Sequence, residues 1–147
     1  MSAEVRSSYR EATILLVEDD DVDAEGVVRA LKKLNLPNPL IRACNGNEGL
    51  ALLRDPSAVG RPYIVLLDIN MPCMNGLEML ATLRQNHTLT TSVVFMLTTS
   101  NADKDKIAAY EQHVAGYIVK SQQGQGFMRV MKMLDHYLQV VDFPTEH

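Results

Sequence analysis

The sequence predicts a single α/β domain with an open parallel β-sheet and helices on both of its faces. Short apolar runs alternate with helical patterns along the chain, and turn-forming residues separate them. The strongest apolar runs are continuous rather than alternating, which is typical of strands buried on both faces of a parallel sheet. The 147 residues fit one domain. Right-handed crossovers would place the connecting helices on both faces of the sheet.

Five apolar runs predict the strands. In chain order they are Ile14–Val17, Leu40–Ala43, Ile64–Leu67, Val93–Leu97 and Tyr117–Val119. Proline or glycine supplies the breaks between elements at Pro37 and Pro39, within 56–62 and within 124–126. This regular spacing predicts five strands that alternate with five helices.

Five helical patterns lie between and after these runs. They are a face of Ala24, Val27, Leu31 and Leu34; Leu50 and Leu53 after Asn45-Gly46; Leu77, Leu80 and Leu83 after Asn75-Gly76; Ile107 and Tyr110 in a helix capped by Asn101 or Asp103; and a last helix from about Phe127 to Val141. Asp20, Asp21 and Asp23 are interpreted as the N-cap and first turn of the first helix, where the helix dipole favours acidic side chains.

The composition excludes several classes of protein. Fourteen basic and eighteen acidic residues give a formal net charge of −4, whereas binders of nucleic acid or anionic membranes need a basic surface. No apolar run approaches the about 18–20 residues of a membrane span, and the polar N-terminus lacks the apolar core of a signal peptide. Cys44 and Cys73 form no C-x-x-C pair. We therefore expect a cytoplasmic protein that binds neither nucleic acid nor membranes.

Chemically reactive side chains follow four of the predicted strands. The acidic residues 18–21 follow the first strand, Asp68 the third, Thr98 the fourth and Lys120 the fifth. In open α/β sheets the ligand crevice lies at the carboxyl ends of the strands, so folding would gather these groups there. Carboxylates that close need a proton or a cation to relieve their repulsion. An oxygen-only site of this kind suits Mg²⁺.

Four motifs in this order make the chain similar to the receiver domain of two-component response regulators over residues 12–141. The motifs are LLVEDD (15–20), LLDINMPCMNG (66–76), MLTTS (96–100) and GYIVK (116–120). The resemblance implies a doubly wound, flavodoxin-like fold with strand order 2-1-3-4-5. Residues 1–11 then form a polar N-terminal extension and residues 142–147 a C-terminal tail.

The resemblance also implies a metal and phosphorylation site. Asp68 matches the phosphoacceptor, which suits the competence of a carboxylate as a nucleophile in phosphoryl transfer. Glu18 and Asp19 match the acidic pair, with Asp19 as the direct Mg²⁺ ligand and Glu18 acting through water. Asp68 itself and the backbone carbonyl of Asn70 would complete the protein ligands of the Mg²⁺.

Three further residues match the parts of a receiver that hold and sense the phosphoryl group. Thr98 and Lys120 would hold its oxygens, and Thr98 and Tyr117 would act as the switch pair. Many receivers have proline after the lysine, with a cis peptide bond, but this chain has Ser121. A cis bond before a residue other than proline costs about 2.5–4 kcal/mol, so the geometry of the Lys120-Ser121 peptide stays open.

The expected function is that of a stand-alone response regulator that takes phosphate from a sensor histidine kinase and signals through altered protein contacts. The six residues after Val141 leave no room for an output domain. Within the family the chain looks closest to small regulators paired with bacterial and cyanobacterial phytochromes. The features behind this comparison are EDDDVDAEGVVRALKKL (18–34), the 54–63 loop, Lys120-Ser121 and Phe143-Pro144. A downstream phosphotransfer protein or another target would receive the signal.

Other readings compete with this one. Haloacid-dehalogenase-type phosphatases also use an aspartate nucleophile and Mg²⁺, but they carry a second aspartate two residues later. Asn70 occupies that position here and cannot shuttle a proton. We therefore expect a signalling protein that catalyses its own phosphorylation and dephosphorylation, rather than an enzyme. A phosphorylation-independent interaction module and a phosphate sink or relay remain as alternatives.

The last predicted helix carries two apolar stripes. Phe127, Val130, Met131, Leu134, Leu138 and Val141 form the stripe expected to pack on the sheet. Met133, Tyr137 and Val140 form a second cluster roughly 110° away around the helix. A second apolar stripe needs another partner, so these three residues predict a homodimer interface. Alternatively, they merely border the core.

Overall fold

A computed structural model describes residues 12–36, 38–98, 102–119, 132–133 and 136–137. Its elements are β1 (Thr13–Val17), α1 (Asp21–Lys33), β2 (Leu40–Ala43), α2 (Gly46–Leu53), β3 (Tyr63–Leu67), α3 (Gly76–Gln85), β4 (Val93–Thr98), α4 (Asp103–Glu111) and β5 (Gly116–Val119). All strand pairs are parallel, in the order β2-β1-β3-β4-β5. The predicted fold class and strand order are confirmed. Residues 132–133 and 136–137 are helical, and the rest of the predicted fifth helix lies outside the described residues.

Side chains cap three of the four helices in the described ranges. Asp20 accepts a hydrogen bond from the Asp23 amide at 2.9 Å, and Asn45 caps α2 in the same way. Asn75 and Glu78 form a reciprocal capping box at α3. Such caps stabilise a helix by about 1 kcal/mol each. The first-turn interpretation of the acidic residues in α1 is therefore confirmed.

Helix α4 begins differently from the prediction. Its N-cap is Ala102, which makes no side-chain capping bond, and Asp103 is the first helical residue rather than the cap. The other predicted candidate, Asn101, lies outside the described residues. Asp103 and Asp105 still lie in the first turn, where an acidic side chain interacts favourably with the helix dipole.

The core is divided into two layers by the sheet. Strands β1 and β3 are buried along their whole length, as their continuous apolar runs predict. Leu15, Val17, Val65 and Leu67 pack on one face with α2 and α3. Ile14, Leu16, Ile64 and Leu66 pack on the other face with α1. Because both faces are covered, only the strand ends expose polar residues of β1 and β3 to a ligand.

The strand register brings the carboxyl ends of β1 and β3 together. Val17 lies beside Leu67 and also beside Ala43. The next backbone amides continue this pattern: the Glu18 amide donates to the Ala43 carbonyl at 2.9 Å, and the Asp68 amide donates to the Val17 carbonyl at 3.1 Å. Glu18 and Asp68 therefore leave the sheet side by side.

Within the described ranges, no helix combines the length and apolar character that crossing a membrane needs.

Candidate functional site

Three carboxylates converge at the carboxyl edge of the sheet. One ligand atom from each of Glu18, Asp19 and Asp68 lies within 4.8 Å of the other two. Glu18 is 2% exposed and Asp68 is 7% exposed, whereas Asp19 is exposed. Two adjacent residues after β1 and one residue after β3 thus form a single acidic cluster, partly buried and open on one side.

The loop that carries Glu18 and Asp19 is held by contacts on both sides. The Glu18 carboxylate accepts a hydrogen bond from the Asp20 amide at 3.2 Å. On the outer side, Arg42 of β2 donates from Nε to the Glu18 carbonyl at 3.0 Å and from Nη1 to Asp21 at 2.7 Å. Arg42 was not among the predicted site residues. Its signal in the sequence is that it is the one charged residue in the apolar run Leu40–Ala43.

Asp68 is fixed by its own loop. Its Oδ1 accepts a hydrogen bond from the Ile69 amide at 2.8 Å. The chain then turns back, so that the Gly76 amide donates to the Ile69 carbonyl at 2.9 Å. A Cβ on Gly76 would overlap the Asp68 carbonyl oxygen and lie 2.8 Å from its carbon. The position of Asp68 therefore depends on glycine at position 76.

The loop after β3 also contacts the loop after β2. The Gly46 amide donates to the Met74 carbonyl at 3.3 Å, and a Cβ on Gly46 would lie 2.8 Å from Cγ of Met74. Cys73 has a positive φ of 68° and is exposed, as is Asn70. Asn70 lies two residues beyond Asp68 in the chain, and the binding of metal by its backbone carbonyl stays a prediction.

Two of the other predicted site residues, Thr98 and Tyr117, lie on β4 and β5. Thr98 is fully buried at the end of β4 and pairs with Val119 of β5. Tyr117 is half-buried and packs against the core layer that contains α2 and α3. Lys120 and Ser121 lie outside the described residues, and so does the peptide bond between them.

The chemistry of the acidic cluster favours a hard divalent cation. Three ionised carboxylates so close together repel one another, and a cation relieves that repulsion without protonating them. The available donors are all oxygen atoms, which Mg²⁺ and Mn²⁺ prefer over softer metals. Within the described residues, Asp19 is the solvent-exposed member of this cluster.

The structure describes two of the three predicted dimer residues, and they differ in exposure. Met133 is 43% exposed. Tyr137 is half-buried, and its ring packs edge-to-face on Phe95 of β4 with 5.0 Å between centroids. This burial raises the pKa of Tyr137. Tyr137 thus borders the core, which was the alternative reading, and Val140 lies outside the described residues.

The parallel sheet of order β2-β1-β3-β4-β5 and the acidic cluster at its carboxyl edge are the features expected of a receiver domain, and comparison with known families gives the same class. The family model of the response regulator receiver domain matches residues 14–132. The chain belongs to this family of signalling proteins, which confirms the resemblance of the four motifs.

Particular relatives place the chain near phytochrome response regulators. It is 35% identical to response regulator Rcp1 of Synechocystis sp. over 136 residues, which cover 90% of this chain and 92% of Rcp1. The crystal structure of Mn²⁺-bound Rcp1 aligns with a TM-score of 0.81 and 34% identity, covering 91% of this chain and 99% of that one. The phosphorylated cyanobacterial phytochrome response regulator RcpA aligns with a TM-score of 0.82 and 30% identity, covering 92% and 99%.

Proposed function

We propose that this protein is a response regulator in which Asp68 accepts a phosphoryl group from a sensor histidine kinase in a Mg²⁺-dependent reaction. The convergence of Glu18, Asp19 and Asp68 within 4.8 Å carries the proposal. In this proposal Asp68 is a carboxylate nucleophile beside two further carboxylates that suit a divalent cation. The family membership of residues 14–132 supports the same assignment.

Asp68 is the nucleophile in this proposal. Because Oδ1 is engaged by the Ile69 amide, Oδ2 attacks phosphorus. The bond from phosphorus to the kinase histidine nitrogen breaks, and an aspartyl phosphate forms. Phosphoryl transfer depends mainly on positioning and on neutralising the charge of the equatorial oxygens. Lys120 and the Thr98 hydroxyl serve to neutralise those oxygens, and Thr98 and Tyr117 form the switch that reports the phosphoryl group.

The donor set fits Mg²⁺, with Asp19, Asp68 and the Asn70 carbonyl as direct ligands and Glu18 acting through water. When bound, Mg²⁺ supplies positive charge that offsets the carboxylates and the incoming phosphoryl oxygens. Glu18 is buried and its carboxylate is held by the Asp20 amide, so it can orient a water molecule bound to the metal. Asp19 provides the solvent-exposed ligand.

The proposed partner is a phytochrome-type histidine kinase, with a phosphotransfer protein or another target downstream. Similarity to Rcp1 and to RcpA, whose structure is described as a phytochrome response regulator, supports this pathway. The protein would act in the cytoplasm as a homodimer.

Competitive phosphotransfer tests the identity of the kinase. A phytochrome kinase should label the protein faster than unrelated histidine kinases, and equal rates would contradict the pathway.

Intact-mass measurement with acetyl phosphate tests the phosphoacceptor. With Mg²⁺, the wild-type protein should gain one phosphoryl group, and Asp68→Asn should gain none because the amide is not a nucleophile of comparable strength. Asp103→Asn is the matched control, since Asp103 is an exposed aspartate at the start of α4. The control should be labelled like wild type.

Two results would overturn the assignment. Equal labelling of Asp68→Asn would place the phosphoryl group elsewhere. Absence of any labelling in wild type would favour the phosphorylation-independent interaction module. Asp19→Ala should lose Mg²⁺ binding and labelling together if the acidic cluster is the metal site.

A further inference from the structure

Arg42 connects both ends of the acidic loop. It lies on the edge strand β2, and its guanidinium reaches across to residues 18–21. Nε donates to the Glu18 carbonyl at 3.0 Å, while Nη1 donates to the Asp21 carboxylate at 2.7 Å. A guanidinium presents these donors in a rigid planar fork. Its two contacts therefore fix the spacing between Glu18 and Asp21, with Asp19 between them.

Stability alone does not account for this arrangement. The Asp21 side chain is 81% exposed and the Arg42 side chain 26% exposed, and ion pairs with such an exposed partner contribute little to folding. The hydrogen bond to Asp21 raises the pKa of Arg42, so the charge is permanent. In addition, Nη2 is buried and has no hydrogen-bond partner among the described residues, which is unfavourable for folding.

The loop needs an external tether because its carboxylates repel one another. Glu18 and Asp19 are adjacent in sequence, and both approach Asp68. The Asp20 amide holds the Glu18 carboxylate from inside the loop. Arg42 holds the main chain of the same residue from outside. Contacts of this outer kind commonly change metal affinity by about 10–100-fold when removed, although they never touch the metal.

We propose that Arg42 is a positioning residue for the divalent cation site. It holds the 18–21 loop so that the carboxylates of Glu18 and Asp19 converge with Asp68, and thereby raises the affinity for Mg²⁺. This inference rests on the proposed function, in which those three carboxylates bind Mg²⁺. The charge of Arg42 opposes a cation, but Asp21 balances that charge within the pair. We therefore expect Mg²⁺ affinity to fall when Arg42 is replaced, because the lost hydrogen bonds matter more than the lost positive charge.

Calorimetric titration of the unphosphorylated protein with Mg²⁺ measures this affinity. The double variant Arg42→Ala/Asp21→Ala keeps the net charge while removing the tether, so it should bind Mg²⁺ about tenfold more weakly. Arg42→Lys keeps the charge and loses the fork, so it should also bind more weakly. Arg29→Ala is the control, because exposed Arg29 lines the same groove between α1 and β2. It should bind like wild type.

A second readout separates positioning from a general loss of structure. The Mg²⁺ concentration that gives half-maximal labelling by acetyl phosphate should rise in the double variant and in Arg42→Lys. The labelling rate at saturating Mg²⁺ should stay at the wild-type value. Thermal melting in the presence of a chelator verifies that each variant is folded before titration.

Three results would overturn the inference. Wild-type affinity in both Arg42→Lys and the double variant would show that the tether has no effect. An equal loss of Mg²⁺ affinity in Arg29→Ala would show that the effect is not specific to Arg42 within the groove between α1 and β2. A parallel fall in the melting temperature and in the saturated rate would assign Arg42 a purely structural role. If wild type itself binds no Mg²⁺, the proposed metal site fails as well, whereas the other outcomes leave that site intact.

Discussion

Asp68 and Gly76 lie eight positions apart in the chain but are in direct contact at the site. The loop between them closes through the Gly76 amide and the Ile69 carbonyl. No side chain fits at position 76, since its Cβ would overlap the Asp68 carbonyl oxygen. The nucleophile is therefore positioned by a close backbone approach as well as by the end of β3.

Gly76→Ala tests this dependence at the residue scale. The clash involves backbone atoms, which cannot move aside as the end of a side chain can, so we expect a loss of about 3 kcal/mol in the free energy of unfolding. Phosphorylation of Asp68 should slow in the folded fraction. Urea denaturation and acetyl phosphate labelling measure the two effects. Gly26→Ala is the control, because a Cβ there meets nothing within 4 Å and alanine favours a helix by up to about 1 kcal/mol. Equal stability of the two variants would contradict the account.

At the scale of elements, Arg84 joins three segments at the edge of the sheet opposite the site. From α3, its Nε donates to the Gln112 carbonyl and its Nη2 to the His113 carbonyl, at the end of α4. Nη1 donates to the carbonyls of Thr90 and Ser92, which precede β4. Desolvation lowers the pKa of Arg84, yet a guanidinium remains charged at ordinary pH.

Arg84→Ala should lower the free energy of unfolding by about 2 kcal/mol, because hydrogen bonds from a charged donor are replaced only in part by water. Arg84→Lys should recover less than half of that loss, since an ammonium cannot reach carbonyls of both segments in one plane. The effect should not vary between pH 6 and pH 9. Urea denaturation of both variants measures it, with exposed Arg54→Ala as the control. Full recovery by lysine would show that the planar fork is unnecessary.

At the scale of the whole molecule, the sequence predicts elements better than contacts between them. The buried strands were found to within a residue because long continuous apolar runs can occupy only the centre of a sheet covered on both faces. The N-cap and first turn at Asp20 followed from local capping chemistry, and the helix with Leu77 was predicted after Asn75-Gly76. The start of α4 did not, because Ala102 carries no capping group.

The residues of the candidate site were likewise predicted only in part. Strand-end reasoning placed Glu18, Asp19 and Asp68 at one edge, because parallel strands end together. It did not reveal Arg42, since only the three-dimensional register shows which β2 side chain reaches the acidic loop. Helical periodicity also could not decide between a dimer face and the core border for Tyr137, because Phe95 comes from a distant strand.

The proposed homodimer can be tested with Met133, which is 43% exposed. Met133→Glu should shift the protein towards monomer, because a charge at an apolar interface is desolvated without a partner. Tyr137 is unsuitable for this test, since its substitution would also disturb the contact with Phe95. Light scattering at several concentrations measures the mass, and Lys132→Glu is the control at the neighbouring exposed position. Equal masses for wild type and Met133→Glu would exclude this residue from the interface.

Chemical trapping of the phosphorylated residue is the sharpest test of whether Asp68 accepts the phosphoryl group. Borohydride reduces an acyl phosphate to an alcohol and thus converts a phosphorylated aspartate to homoserine, which peptide mass spectrometry locates in the chain. After incubation with acetyl phosphate, we expect homoserine at position 68 alone, formed with Mg²⁺ and absent when a chelator is added. Homoserine at another aspartate, or equal conversion at position 68 with and without the metal, would contradict this expectation.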